Sequence, residues 1–102
     1  MSRLESLKNL VQQDQGNERI RFMLCMEYAS TGDYAGALSE LDELIARHPG
    51  YAAAYFQAGR VAETLENTAA ARDYYTRGIE AAQRSGDPHA AAEMSAALAA
   101  LD

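Results

Sequence analysis

Apolar residues recur along this chain at intervals of three and four, interrupted by short polar breaks. The breaks are Asp14-Gln15-Gly16-Asn17, Thr31-Gly32-Asp33, His48-Pro49-Gly50, Glu66-Asn67-Thr68 and Ser85-Gly86-Asp87-Pro88. The stretches between them run about a dozen residues or more, which suits helices better than strands. The first places Leu4, Leu7 and Val11 on one face. The second, about 18–31, repeats at Ile20, Leu24 and Tyr28. The third, about 34–47, repeats at Ala37, Leu41, Leu44 and Ile45. The fourth covers about 52–65, and the fifth about 69–84 with Ala71, Tyr75 and Ile79. The sixth opens with Asp87 as N-cap and Pro88 in the first turn, and carries Ala91, Met94, Leu98 and Leu101. Gly32 and Gly86 stand where left-handed C-caps are expected. Six helices joined by loops this short predict an all-α protein of antiparallel neighbours.

Composition strengthens the helical reading. The chain has 102 residues, with 21 Ala and 10 Leu against nine β-branched residues. Alanine has the best helix propensity, and strands favour the residues that are scarce here. The length allows one domain, expected to span 1–102.

The second and third segments superpose on the fourth and fifth with an offset of 34 residues. Phe22/Phe56, Ala35/Ala69, Ala37/Ala71 and Ile45/Ile79 are identical at that offset, and Cys25/Gly59 are both small. With these residues the chain resembles the tetratricopeptide repeat family, whose unit is a 34-residue helix–turn–helix. The family pattern falls on Leu24, Cys25, Tyr28, Ala37, Leu41 and Pro49 in the first repeat. In the second it falls on Tyr55, Ala58, Gly59, Ala62, Ala71, Tyr75 and Gln83. Arg21 departs from the usual large aromatic, Gln83 from the closing proline, and Glu66 from the usual turn glycine. The whole chain looks like the small stand-alone bacterial members. The resemblance implies a TPR-like α-solenoid of two repeats, 18–49 and 52–84, with an N-terminal helix over 2–13 and a capping helix over 87–101. Hairpins of this kind keep apolar faces that only stacking can bury.

Winding the second segment at about 100° per residue puts Ile20, Leu24, Cys25 and Tyr28 on the core side. Arg19, Phe22, Met23, Met26 and Ser30 gather on the other. In the fourth segment Ala54, Ala58, Gly59 and Ala62 face inward. Ala53, Phe56, Gln57, Arg60, Glu63 and Thr64 face away. The resemblance places this second face on the concave surface, where peptides commonly bind. Candidate partner-binding residues are therefore Arg19, Phe22, Met23, Met26, Phe56, Gln57, Arg60 and Glu63. Aromatics, Met and Arg are enriched at interface centres. Burying one Phe and two Met gives roughly 5–9 kcal/mol, much of it offset by the costs of association. Two alternatives stand beside a partner groove. The first helix folds back over Phe22 and Met26, or the apolar face self-associates. A homodimer through that face or through the Ala-rich sixth helix is the structural alternative. Some family members clamp a C-terminal carboxylate with Lys, Asn and Arg. The matching positions here hold Phe22, Met26, Gln57 and Arg60, so that specificity is not expected.

Charge narrows the partners. Nine Lys and Arg against fifteen Asp and Glu give a net charge of −6, spread evenly along the chain. No basic stripe exists for nucleic acid or an anionic membrane. No apolar run is long enough for a signal peptide or a membrane span, so a cytoplasmic protein is expected. Cys25, on the core side, reads as an inert buried thiol. His48 and His89 lack metal-ligand spacing, and no glycine-rich phosphate loop is present. Asp42-Glu43 reads as solvated face, and Tyr74 as partly exposed. Neither an enzyme, a metal site nor a cofactor is expected; a protein or peptide partner is.

Overall fold

The computed structural model describes residues 1–101; Asp102, the last position of the expected span, lies outside the described residues. Six helices form: α1 Arg3–Gln13, α2 Glu18–Ser30, α3 Tyr34–Arg47, α4 Ala52–Thr64, α5 Thr68–Arg84 and α6 Pro88–Ala99. Five begin with a side chain that accepts an orphan backbone N–H. Ser2 caps α1, Asn17 α2, Asp33 α3, Asn67 α5 and Asp87 α6. α4 has no side-chain cap. Its first turn is fastened instead by the Tyr55 hydroxyl, which donates to the Pro49 carbonyl at 2.6 Å.

Three turns use a left-handed residue: Gly32 at φ 84°, Gly86 at φ 73° and Glu66 at φ 59°. The turn after α4 therefore keeps the conformation of the turn after α2, although a glutamate occupies it. A residue with a Cβ pays a steric cost there.

Each helix packs on the next, and α4 also touches α6. The stack measures 41 × 29 × 18 Å. The main core runs through α2 to α6 and includes Cys25, Ala37, Leu41, Leu44, Tyr55, Ala58, Ala62, Ala71, Tyr75 and Met94. A smaller cluster of Leu7, Val11 and Leu24 joins α1 to α2. The fold is an all-α TPR-like solenoid of stacked hairpins.

Small residues let these helices approach. A Cβ on Gly59 would enter the Tyr75 ring, and one on Gly78 would meet Met94 and the Cβ of Tyr55. Such close packing leaves no room for added atoms. Tyr74 corrects the expectation of partial exposure: it is buried, because its hydroxyl donates to Asp42 Oδ1 at 2.6 Å and ties α5 back to α3. Asp42 is thus a structural acceptor as well as a surface acid. Arg77 lies over both tyrosines, with its guanidinium carbon 5.6 Å from the Tyr55 ring centre and 5.7 Å from that of Tyr74.

Candidate functional site

The sequence leaves open whether α1 covers the apolar side of α2. In the structure α1 lies against Ile20, Leu24 and Tyr28, the other side of the helix. An ion pair from Arg3 Nε to Glu27 Oε1 at 3.0 Å holds it there. Met23 and Met26 remain 40% and 37% exposed. Phe22 is half-buried and meets the Tyr51 ring edge-on, with centroids 5.5 Å apart. It therefore links α2 to the start of α4.

On α4, Phe56 is half-buried and packs edge-on against Tyr75 at 6.1 Å. It serves the core as well as the surface. Gln57 is half-buried, and Arg60 and Glu63 are exposed. The Glu63 carboxylate accepts the Tyr75 hydroxyl. Burial first, then this hydrogen bond, pushes the Tyr75 hydroxyl well above its ordinary pKa. Arg19 is exposed at the first turn of α2.

A hollow of ≈ 230 Å³ opens between α2, the start of α3 and α4. It brings together Met26, Gln57 and Arg60 of the expected residues. Arg19, Phe22, Met23, Phe56 and Glu63 do not line it. Ala29, Tyr34 and Val61 line it and were not expected. Ala29 is one turn beyond Met26 and Val61 one turn beyond Gln57, so helical winding from the chosen residues would have found both. Tyr34 opens a different helix and carries no such signal. The hollow joins an apolar floor to one guanidinium and one amide, which suits a single apolar side chain with a polar neighbour.

The remaining chemistry is sparse. Cys25 is 1% exposed. Burial, reinforced by Glu40, pushes its thiol up to about 12, so it stays protonated and unreactive near neutral pH. His48 Nε2 lies 3.9 Å from Glu18 and His89 Nε2 lies 3.1 Å from Glu93. Among the described residues no group of three or more His, Cys, Asp and Glu could hold a metal ion. Among the described residues no helix is long and apolar enough to cross a membrane.

No protein-family model matches the sequence, and no curated protein does. Solved structures do. A tetratricopeptide repeat domain protein from Salinibacter ruber is 28% identical, with a TM-score of 0.81 over 84% of this chain and 87% of that one. A protein from Bordetella parapertussis is also 28% identical, with a TM-score of 0.83 over 99% of this chain and 88% of that one. PcrH, solved in complex with the chaperone binding region of PopD, is 19% identical, with a TM-score of 0.88 over 96% of this chain and 74% of that one.

Proposed function

This chain is a small protein of the tetratricopeptide-repeat family, and from that premise we propose that it is a non-catalytic interaction module, holding a peptide or partner helix against the shared face of α2 and α4. One observation carries the reading. Met23 and Met26 lie exposed one turn apart on α2, and Met26 lines the hollow between α2, α3 and α4. Methionine adapts to varied apolar partners, and exposed apolar groups rimmed by polar ones mark interaction surfaces. Arg60 lines the adjoining hollow and has no ion-pair partner among the described residues. It is available to a partner's carboxylate. The complex of PcrH with a segment of PopD shows that this fold can hold a protein segment, which supports the reading by analogy of fold.

Met26 and Arg60 are the main contacts in this reading. Gln57 lines the hollow beside them, Phe22, Met23 and Phe56 extend the apolar face next to it, and Arg19 and Glu63 orient the ligand from the rim. Affinity capture from native lysate tests it with three proteins: wild type, Met26→Glu, and Leu65→Glu as a control at an exposed apolar residue outside the hollow. Loss of a partner in Met26→Glu alone supports the module. Equal capture by all three refutes it. A captured species that is only the chain itself, with a dimer in sedimentation, turns the reading to self-association.

A further inference from the structure

Arg21 lies on the side of α2 that peptide binding leaves unused. It is 6% exposed. A guanidinium has five N–H donors and no acceptor capacity. Here Nη1 donates to Glu40 Oε2 at 3.3 Å, and Nε is buried with no hydrogen-bond partner. A buried cation with one long contact is poorly satisfied. Repeat packing does not demand a cation at this position, because its counterpart 34 residues on is Tyr55, a core residue.

Beside Arg21, α1, α2, α3 and Gln15 of the α1–α2 turn border an open hollow of ≈ 300 Å³. Val11 and Leu24 give it an apolar wall, and Lys8, Gln12 and Arg21 line it with donors. Lys8 Nζ lies 5.6 Å from the Tyr28 ring centre, and no carboxylate pairs with it among the described residues. Glu40 is the one acid lining the hollow, and Arg21 already engages it. Arg21 also borders a shallower hollow with Asp42 and Glu43, but within the hollow beside α1 two cations face one carboxylate, which Arg21 already engages. The arrangement lacks an anion, and its apolar wall calls for a hydrocarbon group on that anion.

We propose that this hollow binds a small carboxylate carried on a short apolar stem. Its volume, at the low end for ligand sites, suits one leucine-sized group. The carboxylate meets Lys8 and Arg21, and the stem lies on Val11 and Leu24. A free organic acid and the C-terminal residue of a peptide share this chemistry.

The test is a ¹H–¹⁵N titration of the full chain with 4-methylpentanoate, N-acetyl-leucine and N-acetyl-leucinamide. Both acids should shift amides around Lys8 and Arg21 saturably, and the amide should not. Tighter binding of N-acetyl-leucine points to a peptide C-terminus; tighter binding of 4-methylpentanoate points to a free acid. Lys8→Gln, at an exposed position, should weaken binding about tenfold. Arg21→Met should abolish it with a folded spectrum. If Arg21→Met fails to fold, Lys8→Gln decides alone. No saturable shift from either acid at about 20 mM, an equal shift from the leucinamide, or unchanged affinity in Lys8→Gln overturns the proposal.

Discussion

In the first repeat α2 meets its neighbours through Leu24, Cys25 and Tyr28. In the second, α4 has Ala58, Gly59 and Ala62 at the same positions, and the space is filled from the opposite helix. Tyr75 stands where the first repeat has Leu41, and its ring occupies the volume in front of Gly59. Both contacts are dry: Cys25, Leu41, Ala58 and Tyr75 are all buried. One backbone plan thus accepts different side chains across a helix pair, because Gly59 leaves the space that the Tyr75 ring fills. The repeats differ at the surface as well. Met23 and Met26 of the first stand exposed, and Phe56 of the second is drawn onto Tyr75.

The comparison breaks most sharply when volume is moved between repeats. Gly59→Cys puts the first repeat's residue into the second, where its Cβ meets a ring that cannot yield. Stability should fall by about 3 kcal/mol, as overpacking does, read as the urea midpoint at unchanged slope. Cys25→Gly, the reverse exchange, should cost only about 1–2 kcal/mol through the lost side chain and the added chain entropy. Equal losses would mean that the two contacts are not complementary.

Alkaline titration should come next in size. The folded protein holds the Cys25 proton more tightly than the unfolded chain does, with the thiol pushed up to about 12 from 9.0. Stability from this source is complete below about pH 9 and is lost as pH rises toward 12, because the unfolded state then binds fewer protons. The loss should reach about 3 kcal/mol by pH 11, and Cys25→Ala should remove that share. Tyr74 and Tyr75, both raised chiefly by burial, add a loss of the same sign at higher pH. Denaturant titrations at neutral and alkaline pH measure both effects.

The turns give a smaller difference. Glu66→Gly restores to the second repeat what Gly32 gives the first. It should stabilise by about 1 kcal/mol, the left-handed cost less the entropy of glycine. Gly32→Ala should destabilise by a similar amount. Melting temperatures of the two variants compare these turns directly.

The sequence carried the helix boundaries because the breaks hold the chemistry of ends: Asn17, Asp33, Asn67 and Asp87 as caps, Gly32 and Gly86 as left-handed stops. It carried the repeat because a spacing of 34 brings small residues into register. Positions without a matching counterpart were less legible. Gly78 corresponds to Leu44, so the repeat gave no hint of its close approach to Met94. Arg21 corresponds to Tyr55, and only the third dimension shows a guanidinium buried where a ring would serve. Tyr74 adjoins Tyr75 in sequence, which suggests opposite faces; both are buried because α5 packs on α4 and α6 while Asp42 of α3 receives the Tyr74 hydroxyl. On α2 the apolar side was legible from winding. Which of its two sides α1 would cover was not, since Ile20, Leu24 and Phe22 are equally able to bury a helix.

A photocrosslinking residue placed at Met26 tests the interaction face most directly, beside the same residue at Ala46, an exposed site on α3. Met26 contributes little to the core, so the fold should be unchanged within about 0.5 kcal/mol. On illumination in native lysate, position 26 should give a discrete adduct with another protein and position 46 should give none. Equal adducts at both positions, or none at position 26, would contradict an interaction surface on α2 and α4.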